Sequence, residues 1–314
     1  MKVVTKQAAF DDHDSVNYWK REFLAYREGL LTNLSPGIIA PRCYGAQEPG
    51  ADLTWLWLED VGLVPARHTI SDYARFAYHL GLFGAGYTGE GRVPGYPWLN
   101  RHMLHGWLDE WATLLDRFPV LMTHPAVGAF LPAQNAQRLL ELWKHREHLT
   151  AALDRLARTF CHHDAFGGNL VRHASGKTIA LDWEFAGPGA LGEDLGPLIG
   201  GSVAMFAVDA TDIEDLSRTC LDAYREGLFD GRWRGEFDSV NRAFDTSAAM
   251  RFGVVWGAWL ADLLSAPAGA KDSLEAFYHR PLPEIIEHFR VAMPWFLDRG
   301  GDALNFLNSD STGR

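Results

Sequence analysis

A ten-residue segment near the middle of the chain constrains the fold more than any other part of the sequence. Residues 161–170 read Cys-His-His-Asp-Ala-Phe-Gly-Gly-Asn-Leu and fit the pattern His-x-Asp-x-x-x-x-Asn, with an aspartate, Asp182, further along. Residues 170–173 and 178–181 are short strand-like runs, and the residues between them favour a turn. The segment therefore predicts a loop that leads directly into a β-hairpin.

The pairing of this hairpin predicts a metal site. If His173 pairs with Thr178, then Asn169 lies opposite Asp182, and the Cβ atoms of directly opposed residues are about 5 Å apart. An amide and a carboxylate at that distance can hold a metal, and oxygen ligands suit Mg²⁺ better than zinc. Phosphoryl transfer needs such ligands and a carboxylate that accepts a hydroxyl proton.

The histidines of the same segment offer an alternative, a transition-metal site of a hydrolase. Imidazole and carboxylate groups are common zinc ligands, and the candidates here are His162, His163, Asp164 and His173. That site would leave Asn169 and Asp182 without a role, so the sequence favours phosphoryl transfer.

Composition narrows the class of protein further. The net charge of −11 over 314 residues argues against a nucleic-acid partner, because a basic surface is needed to bind phosphates. No uninterrupted apolar run is long enough for a membrane span, so no membrane partner is expected. Three cysteines are too few for a disulfide framework, which fits a cytoplasmic location.

Hydrophobic patterning predicts two parts of different character. Residues 2–7 and 51–58 read as strands, with a helix between them that is capped by Asp14 or Ser15 and ends at Asn33 or Gly37. Helices are predicted at 71–84, 99–117 and 132–157, with more after the hairpin. The expected domains are a small lobe with a hinge at 1–62 and a helical lobe at 63–314 that carries the loop and the hairpin.

The motifs His162-x-Asp164…Asn169 and Asp182-Trp183-Glu184 resemble those of the aminoglycoside phosphotransferase and choline kinase group, relatives of protein kinases. The resemblance implies an α+β, protein-kinase-like fold of two lobes, with Mg²⁺ as cofactor and ATP or GTP as co-substrate. It also implies a role for each matching residue: Asp164 as catalytic base, Asn169 and Asp182 as Mg²⁺ ligands, and His162 and Asp194 as structural supports of the loop.

The small lobe extends the resemblance. Lys6, at the end of the first strand, looks like the kinase lysine that contacts the nucleotide phosphates, and Glu22 on the following helix is its expected partner. Lys2 lies on the same strand face and is the second candidate. The segment that contains Glu59 and Val61 resembles the family's hinge, whose backbone would hold the adenine edge.

The start of the chain departs from the family, which places two strands and a glycine-containing phosphate loop before the lysine strand. We expect either a truncated or misassigned start or phosphate coverage from elsewhere, and an exposed strand edge covered by a second copy or by upstream residues. The predicted function is ATP- or GTP-dependent transfer to a hydroxyl of an aminoglycoside-, amino alcohol- or sugar-like small molecule. The alternative is a catalytically silent module that binds nucleotide or another ligand.

Overall fold

The structure, a computed structural model, describes residues 1–34, 36–62, 64, 67–266 and 268–312. Its eight described strands are β1 (Lys2–Thr5), β2 (Ile38–Ile39), β3 (Cys43–Gly50), β4 (Leu53–Leu58), β5 (Arg158–Cys161), β6 (Leu170–Arg172), β7 (Thr178–Ala180) and β8 (Gly187–Ala190). The thirteen described α-helices are α1 (Arg21–Arg27), α2 (Ile70–Tyr87), α3 (Met103–Glu110), α4 (Ala112–Leu121), α5 (Pro125–Phe130), α6 (Ala133–Lys144), α7 (Arg146–Asp154), α8 (Ser202–Ala204), α9 (Ile213–Asp230), α10 (Phe237–Ala248), α11 (Trp256–Ser265), α12 (Ala268–Tyr278) and α13 (Leu282–Thr312). The predicted α+β class with two lobes, a small one built on a sheet and a large helical one, is confirmed.

The small lobe is a three-stranded sheet with α1 packed on β3 and β4. Strand β4 lies in the centre and pairs antiparallel with both β1 and β3. Sequence patterning missed β3, because its sequence CYGAQEPG contains two glycines and a proline, which disfavour strands. Among the described strands, β1 has β4 as its single neighbour and so lies at the sheet edge.

The first helix is much shorter than the sequence predicts. It spans Arg21–Arg27, whereas residues 14–20 form turns. The cause is the fully buried side chain of Arg21, which donates hydrogen bonds to the carbonyl oxygens of Ser15 (2.7 Å) and Val16 (2.9 Å). These carbonyls face the guanidinium group, so the segment before α1 does not continue the helical bonding pattern.

Strand β2 connects the small lobe to the hairpin of the large lobe. It runs parallel to β7, and the N–H of Thr178 donates to the carbonyl of Gly37 at 3.0 Å. Gly37 has a φ of 97°, and a Cβ there would lie 2.8 Å from the carbonyl oxygen of His79. Only glycine meets both conditions without strain.

The helices of the large lobe follow the predictions with two interruptions. The helix predicted at 71–84 is α2, whereas those predicted at 99–117 and 132–157 are each divided in two. The divisions fall at Trp111 and His145, whose ψ angles near 0° lie outside the helical region. The boundary predicted after residue 62 adjoins Leu63, Pro65 and Ala66, which lie outside the described residues.

No helix in the described part of the chain is long and apolar enough to cross a membrane.

Helices α2 and α9 approach each other through glycines. A Cβ on Gly81 would lie 2.3 Å from the carbonyl oxygen of Tyr224, and a Cβ on Gly227 would lie 2.0 Å from that of Tyr78. Both clashes involve backbone atoms, which cannot move aside as a flexible side chain can. The spacing of the two helices therefore depends on these glycines.

We predict that Gly81→Ala lowers the free energy of unfolding by about 1–3 kcal/mol, because the added methyl overpacks the helix contact. Gly301→Ala in α13 is the matched control, since nothing lies within 4 Å of a Cβ there. Alanine favours a helix over glycine, so the control should be neutral or stabilised by up to about 1 kcal/mol. Urea unfolding of both variants measures the difference, and equal stabilities would contradict the packing argument.

Candidate active site

Strand β5 ends at Cys161, and the predicted catalytic loop begins directly after it with His162, which is buried. Its ring Nε2–H donates to the carbonyl of Leu181 at 2.8 Å, and its Nδ1 accepts from the N–H of Asp164 at 3.2 Å. Burial lowers the pKa of His162 to about 4, so the ring is neutral. The contacts support its predicted bracing role, because they tie the loop to the residue before Asp182.

Asp194 holds the backbone of the same loop. Its carboxylate accepts the backbone N–H groups of His162 (3.0 Å) and His163 (2.6 Å). Burial raises the pKa of Asp194 to about 6, although these two hydrogen bonds favour the charged form. This arrangement supports the structural role predicted for Asp194.

Asp164 lies at the rim of the loop with its side chain a quarter exposed. One carboxylate oxygen accepts from the amide nitrogen of Asn169 at 2.9 Å, and the same nitrogen donates to the carbonyl oxygen of Asp164. Burial raises the pKa of Asp164 from its ordinary value of 3.8 to about 6, with the charge of Asp182 as a further cause. The group is thus ionised at neutral pH, yet more basic than an ordinary aspartate.

The predicted hairpin register is wrong by one residue. Leu170 pairs with Ala180 rather than Leu181, so Asn169 lies opposite Leu181, whose N–H donates to the Asn169 carbonyl at 2.8 Å. The reason is the turn, which closes between His173 and Lys177 rather than between His173 and Thr178. Gly176 in this three-residue turn has a φ of 85°, as expected for a left-handed residue at that position.

Asp182 is nevertheless on the same side of the hairpin end as the loop. It directly follows Leu181, which bonds to both Asn169 and His162, and it has a left-handed φ of 59°. A non-glycine residue in this conformation costs about 1–3 kcal/mol, a strain often found at functional sites.

The lysine partner of Glu22 is Lys2, and the predicted pairing with Lys6 is wrong. Lys2 Nζ lies 2.6 Å from the carboxylate of Glu22 and 2.8 Å from that of Asp182. Lys6 instead contacts Asp11 at 2.6 Å and Asp52 at 3.5 Å.

Strand geometry explains the choice between the two lysines. Strand β1 ends at Thr5, so Lys6 lies beyond the sheet, whereas Lys2 is the first strand residue and lies opposite Leu56. Burial opposes the charge on Lys2, but Glu22 and Asp182 outweigh it and raise the pKa of the lysine. Burial raises the pKa of Glu22, which is 4% exposed.

The residues predicted to hold Mg²⁺ suit that ion. Because the amide nitrogen of Asn169 faces Asp164, its oxygen lies on the other side of the amide group. Lys2 takes one carboxylate oxygen of Asp182 and leaves the second available to a ligand. Two oxygen donors next to an exposed carboxylate, Glu184, favour Mg²⁺ over zinc.

The alternative transition-metal site does not form. Both ring nitrogens of His162 are hydrogen-bonded, and His173 lies at the hairpin turn, where its ring contacts Ser175. Among the described residues, Cys161, His163 and Asp194 do lie close enough to share an ion. However, both Asp194 oxygens already accept backbone N–H groups, and burial raises the pKa of the Cys161 thiol.

The hinge segment keeps part of its backbone available. The N–H of Glu59 donates to the carbonyl of Arg42 at 2.8 Å, and its carboxylate accepts the Arg42 N–H at 3.1 Å. These bonds fix the end of β4. No backbone hydrogen bond of Val61 to another described residue is found, so its N–H is the better candidate for contacting an adenine edge.

Two arginines near the site were missed by sequence reasoning. Arg21 donates to the carbonyls of Glu184 (2.6 Å) and Trp98 (3.0 Å), and burial lowers its pKa to about 10. Arg251 contacts the loop at His163 and Asp164. The one available signal was Arg251 itself, which is, with Asp262, one of two charged residues in the largely apolar run from Ala248 to Leu264.

Comparison with known proteins gives one match by sequence and several by structure. The model of the phosphotransferase enzyme family (APH) matches residues 29–236, well over half of the chain. No curated protein matches the chain at a significant level.

The similar solved structures are distant. An aminoglycoside phosphotransferase from Alicyclobacillus acidocaldarius subsp. acidocaldarius is 13% identical with a TM-score of 0.49, over 100% of this chain and 86% of that one. A choline/ethanolamine kinase family protein from Mesorhizobium loti is 15% identical with a TM-score of 0.46, over 92% and 86%. Choline kinase from Streptococcus pneumoniae is 13% identical with a TM-score of 0.46, over 98% and 85%. All three TM-scores are below one half, so these structures give no information about the substrate of this chain.

We predict that Lys2→Met destabilises the protein by about 2 kcal/mol or more, because it leaves the buried carboxylate of Glu22 without its counter-charge. Lys6→Met is the matched control just beyond the end of the same strand, and it should leave the melting temperature nearly unchanged, since Lys6 contacts exposed carboxylates. Thermal unfolding of both variants at neutral pH tests the assignment. A larger loss for Lys6→Met would return the pairing to Lys6.

Proposed function

The chain belongs to the phosphotransferase enzyme family, as its motifs predicted, and on that premise we propose that it is a small-molecule kinase. It would move the γ-phosphoryl group of ATP or GTP to a hydroxyl group, with Asp164 as base. The acceptor would be an aminoglycoside-, amino alcohol- or sugar-like molecule.

The observation that carries the proposal is the convergence of four groups around the end of one hairpin. Asn169 bonds to Asp164, and Lys2 joins Asp182 to Glu22. A base, two oxygen ligands and a phosphate-binding cation are the parts that phosphoryl transfer uses. Lys2 comes from the start of the chain, far in sequence from the other three, so neighbourhood along the chain does not explain its place in the group.

The proposed reaction assigns each residue a step. The Asp164 carboxylate takes the proton of the acceptor hydroxyl as its oxygen forms a bond to the γ-phosphorus, and the bond to the nucleoside diphosphate breaks. Lys2, released from Asp182 by the nucleotide, contacts the phosphates while Glu22 keeps it in place. Asn169 and Asp182 would hold Mg²⁺, which neutralises phosphate charge when bound. The Val61 N–H and the Glu59 carbonyl would hold the base of the nucleotide.

A cleft lined by Glu184 and Phe185, which follow Asp182 closely in sequence, has room for the acceptor. Its volume is about 320 Å³. Its lining combines aromatic rings with one carboxylate, from Phe10, Tyr18, Trp19, Phe185 and Glu184. Aromatic faces attract ammonium groups and stack on sugars, so this lining supports an amino alcohol or amino sugar.

The competing function is a catalytically silent module that binds nucleotide. One experiment separates the two: hydrolysis and transfer are measured with Mg²⁺-ATP and Mg²⁺-GTP over a panel of aminoglycosides, amino alcohols and sugars, alongside thermal shifts. Asp182→Asn is the control, because it should abolish Mg²⁺-dependent turnover and leave the fold intact. Nucleotide-dependent stabilisation without turnover of any acceptor would favour the silent module.

We predict that Asp164→Asn lowers kcat by about 10²–10⁴-fold and changes nucleotide affinity little, because the base faces the acceptor. The pH profile gives a second measurement. Since the pKa of Asp164 is raised to about 6, the ionised base is lost as the pH falls, and kcat/KM should decline below about pH 6. The variant should lack this decline. Near-normal kcat in Asp164→Asn would show that another group takes the proton, and loss of nucleotide binding would make Asp164 a metal ligand.

A further inference from the structure

The residue before the proposed base, His163, is strained and held from both sides. His163 has a left-handed φ of 65°, a conformation that is strained for a non-glycine residue. Its N–H donates to Asp194 at 2.6 Å, and its carbonyl oxygen accepts from a guanidinium nitrogen of Arg251 at 2.5 Å. Neither bond belongs to regular secondary structure, so side chains alone fix this conformation.

Arg251 is a buried cation with a defined position. It lies in a π-helical segment, Ala249–Val255, and is 5% exposed. The guanidinium carbon lies 5.6 Å from the ring centre of Trp107 and 5.4 Å from that of Phe252. Two aromatic rings therefore hold the guanidinium in place, and its burial is costly unless charged or polar groups compensate for it.

The compensating groups are those of the loop. A second guanidinium nitrogen of Arg251 lies 3.7 Å from one carboxylate oxygen of Asp164, and Asn169 binds the other oxygen. The two contacts define the plane of the carboxylate. If either is removed, the side chain can rotate away from an acceptor hydroxyl.

We propose that Arg251 is a positioning residue for the phosphoryl-transfer reaction: it fixes the His163 carbonyl and orients the Asp164 carboxylate. The inference rests on the proposed function and adds to it a residue from a distant helix. Arg251 holds the carbonyl of His163, and Asp194 holds the N–H of the same residue. Reaction rates are sensitive to such placement, since a displacement of about 1 Å can cost about 10²-fold.

The test is the substitution Arg251→Met, which keeps much of the side-chain length and removes the charge and the hydrogen bonds. With the acceptor found by the panel above, kcat should fall by about 10²-fold while the nucleotide dissociation constant stays nearly constant. Arg251→Lys keeps a cation but not the fork of donors, so it should recover part of the lost kcat. It also serves as the test variant should Arg251→Met fail to fold.

Arg299→Met is the matched control. Arg299 likewise lies over an aromatic ring, that of Trp295 at 5.5 Å, and beside a buried carboxylate, that of Asp245 at 3.6 Å, but the loop is not among its contacts. It should lose stability without losing kcat. Hydrogen exchange of residues 161–170 should rise in Arg251→Met and remain unchanged in Arg299→Met.

Three results would overturn the inference: a kcat close to wild type in Arg251→Met, an equal loss in Arg299→Met, or a loss of nucleotide affinity as large as the loss of kcat. A wild-type protein that turns over no nucleotide would instead reject the proposed function. In that case the exchange measurement still decides whether Arg251 holds the loop.

Discussion

The ammonium group of Lys2 is the contact on which the arrangement of the small lobe depends. It joins the first residue of β1 to Glu22 on α1 and to Asp182 at the end of the hairpin. Glu22 is buried, and an isolated carboxylate in such a place would be strongly destabilising. Because the Glu22 carboxylate needs its cation, the first strand, α1 and the end of the hairpin meet at Lys2. Asp182, a proposed Mg²⁺ ligand, thereby lies next to the cation proposed to contact the phosphates.

The loop of residues 161–170 does not depend on an ion pair of this kind. Side chains from other segments hold it by hydrogen bonds to its backbone. Loops lack the regular pairing of helices and strands, yet buried N–H and C=O groups must still be satisfied. Here Asp194, Ser202, His68 and Arg251 supply the partners, with Ser202 accepting from the N–H of Gly167 at 2.9 Å and His68 donating to its carbonyl at 3.0 Å. Four segments of the large lobe thus fix a loop that has little structure of its own.

Local patterns predicted the fold and the motif but not the contacts between distant residues. The loop, the hairpin and the long helix α2 follow from turn residues and apolar periodicity. The predicted hairpin register was wrong because it assumed a turn of four residues, whereas the turn has three. A difference of one residue in the turn shifts every pair of the hairpin. An even spacing places Lys2 and Lys6 on the same face of a predicted strand, so the strand pattern could not choose between them. Nothing local marks Arg21 as the reason that α1 begins late, since its partners are backbone carbonyls.

The two cations next to the proposed site, Lys2 and Arg251, belong to different lobes. Lys2 belongs to the small lobe and reaches Asp182 across the gap between the lobes, whereas Arg251 and Asp164 both belong to the large lobe. A change in the angle between the lobes would alter the Lys2 contact and leave that of Arg251 unchanged. The position of the proposed base is therefore set within the large lobe alone. The phosphate contact proposed for Lys2, in contrast, depends on how the two lobes meet.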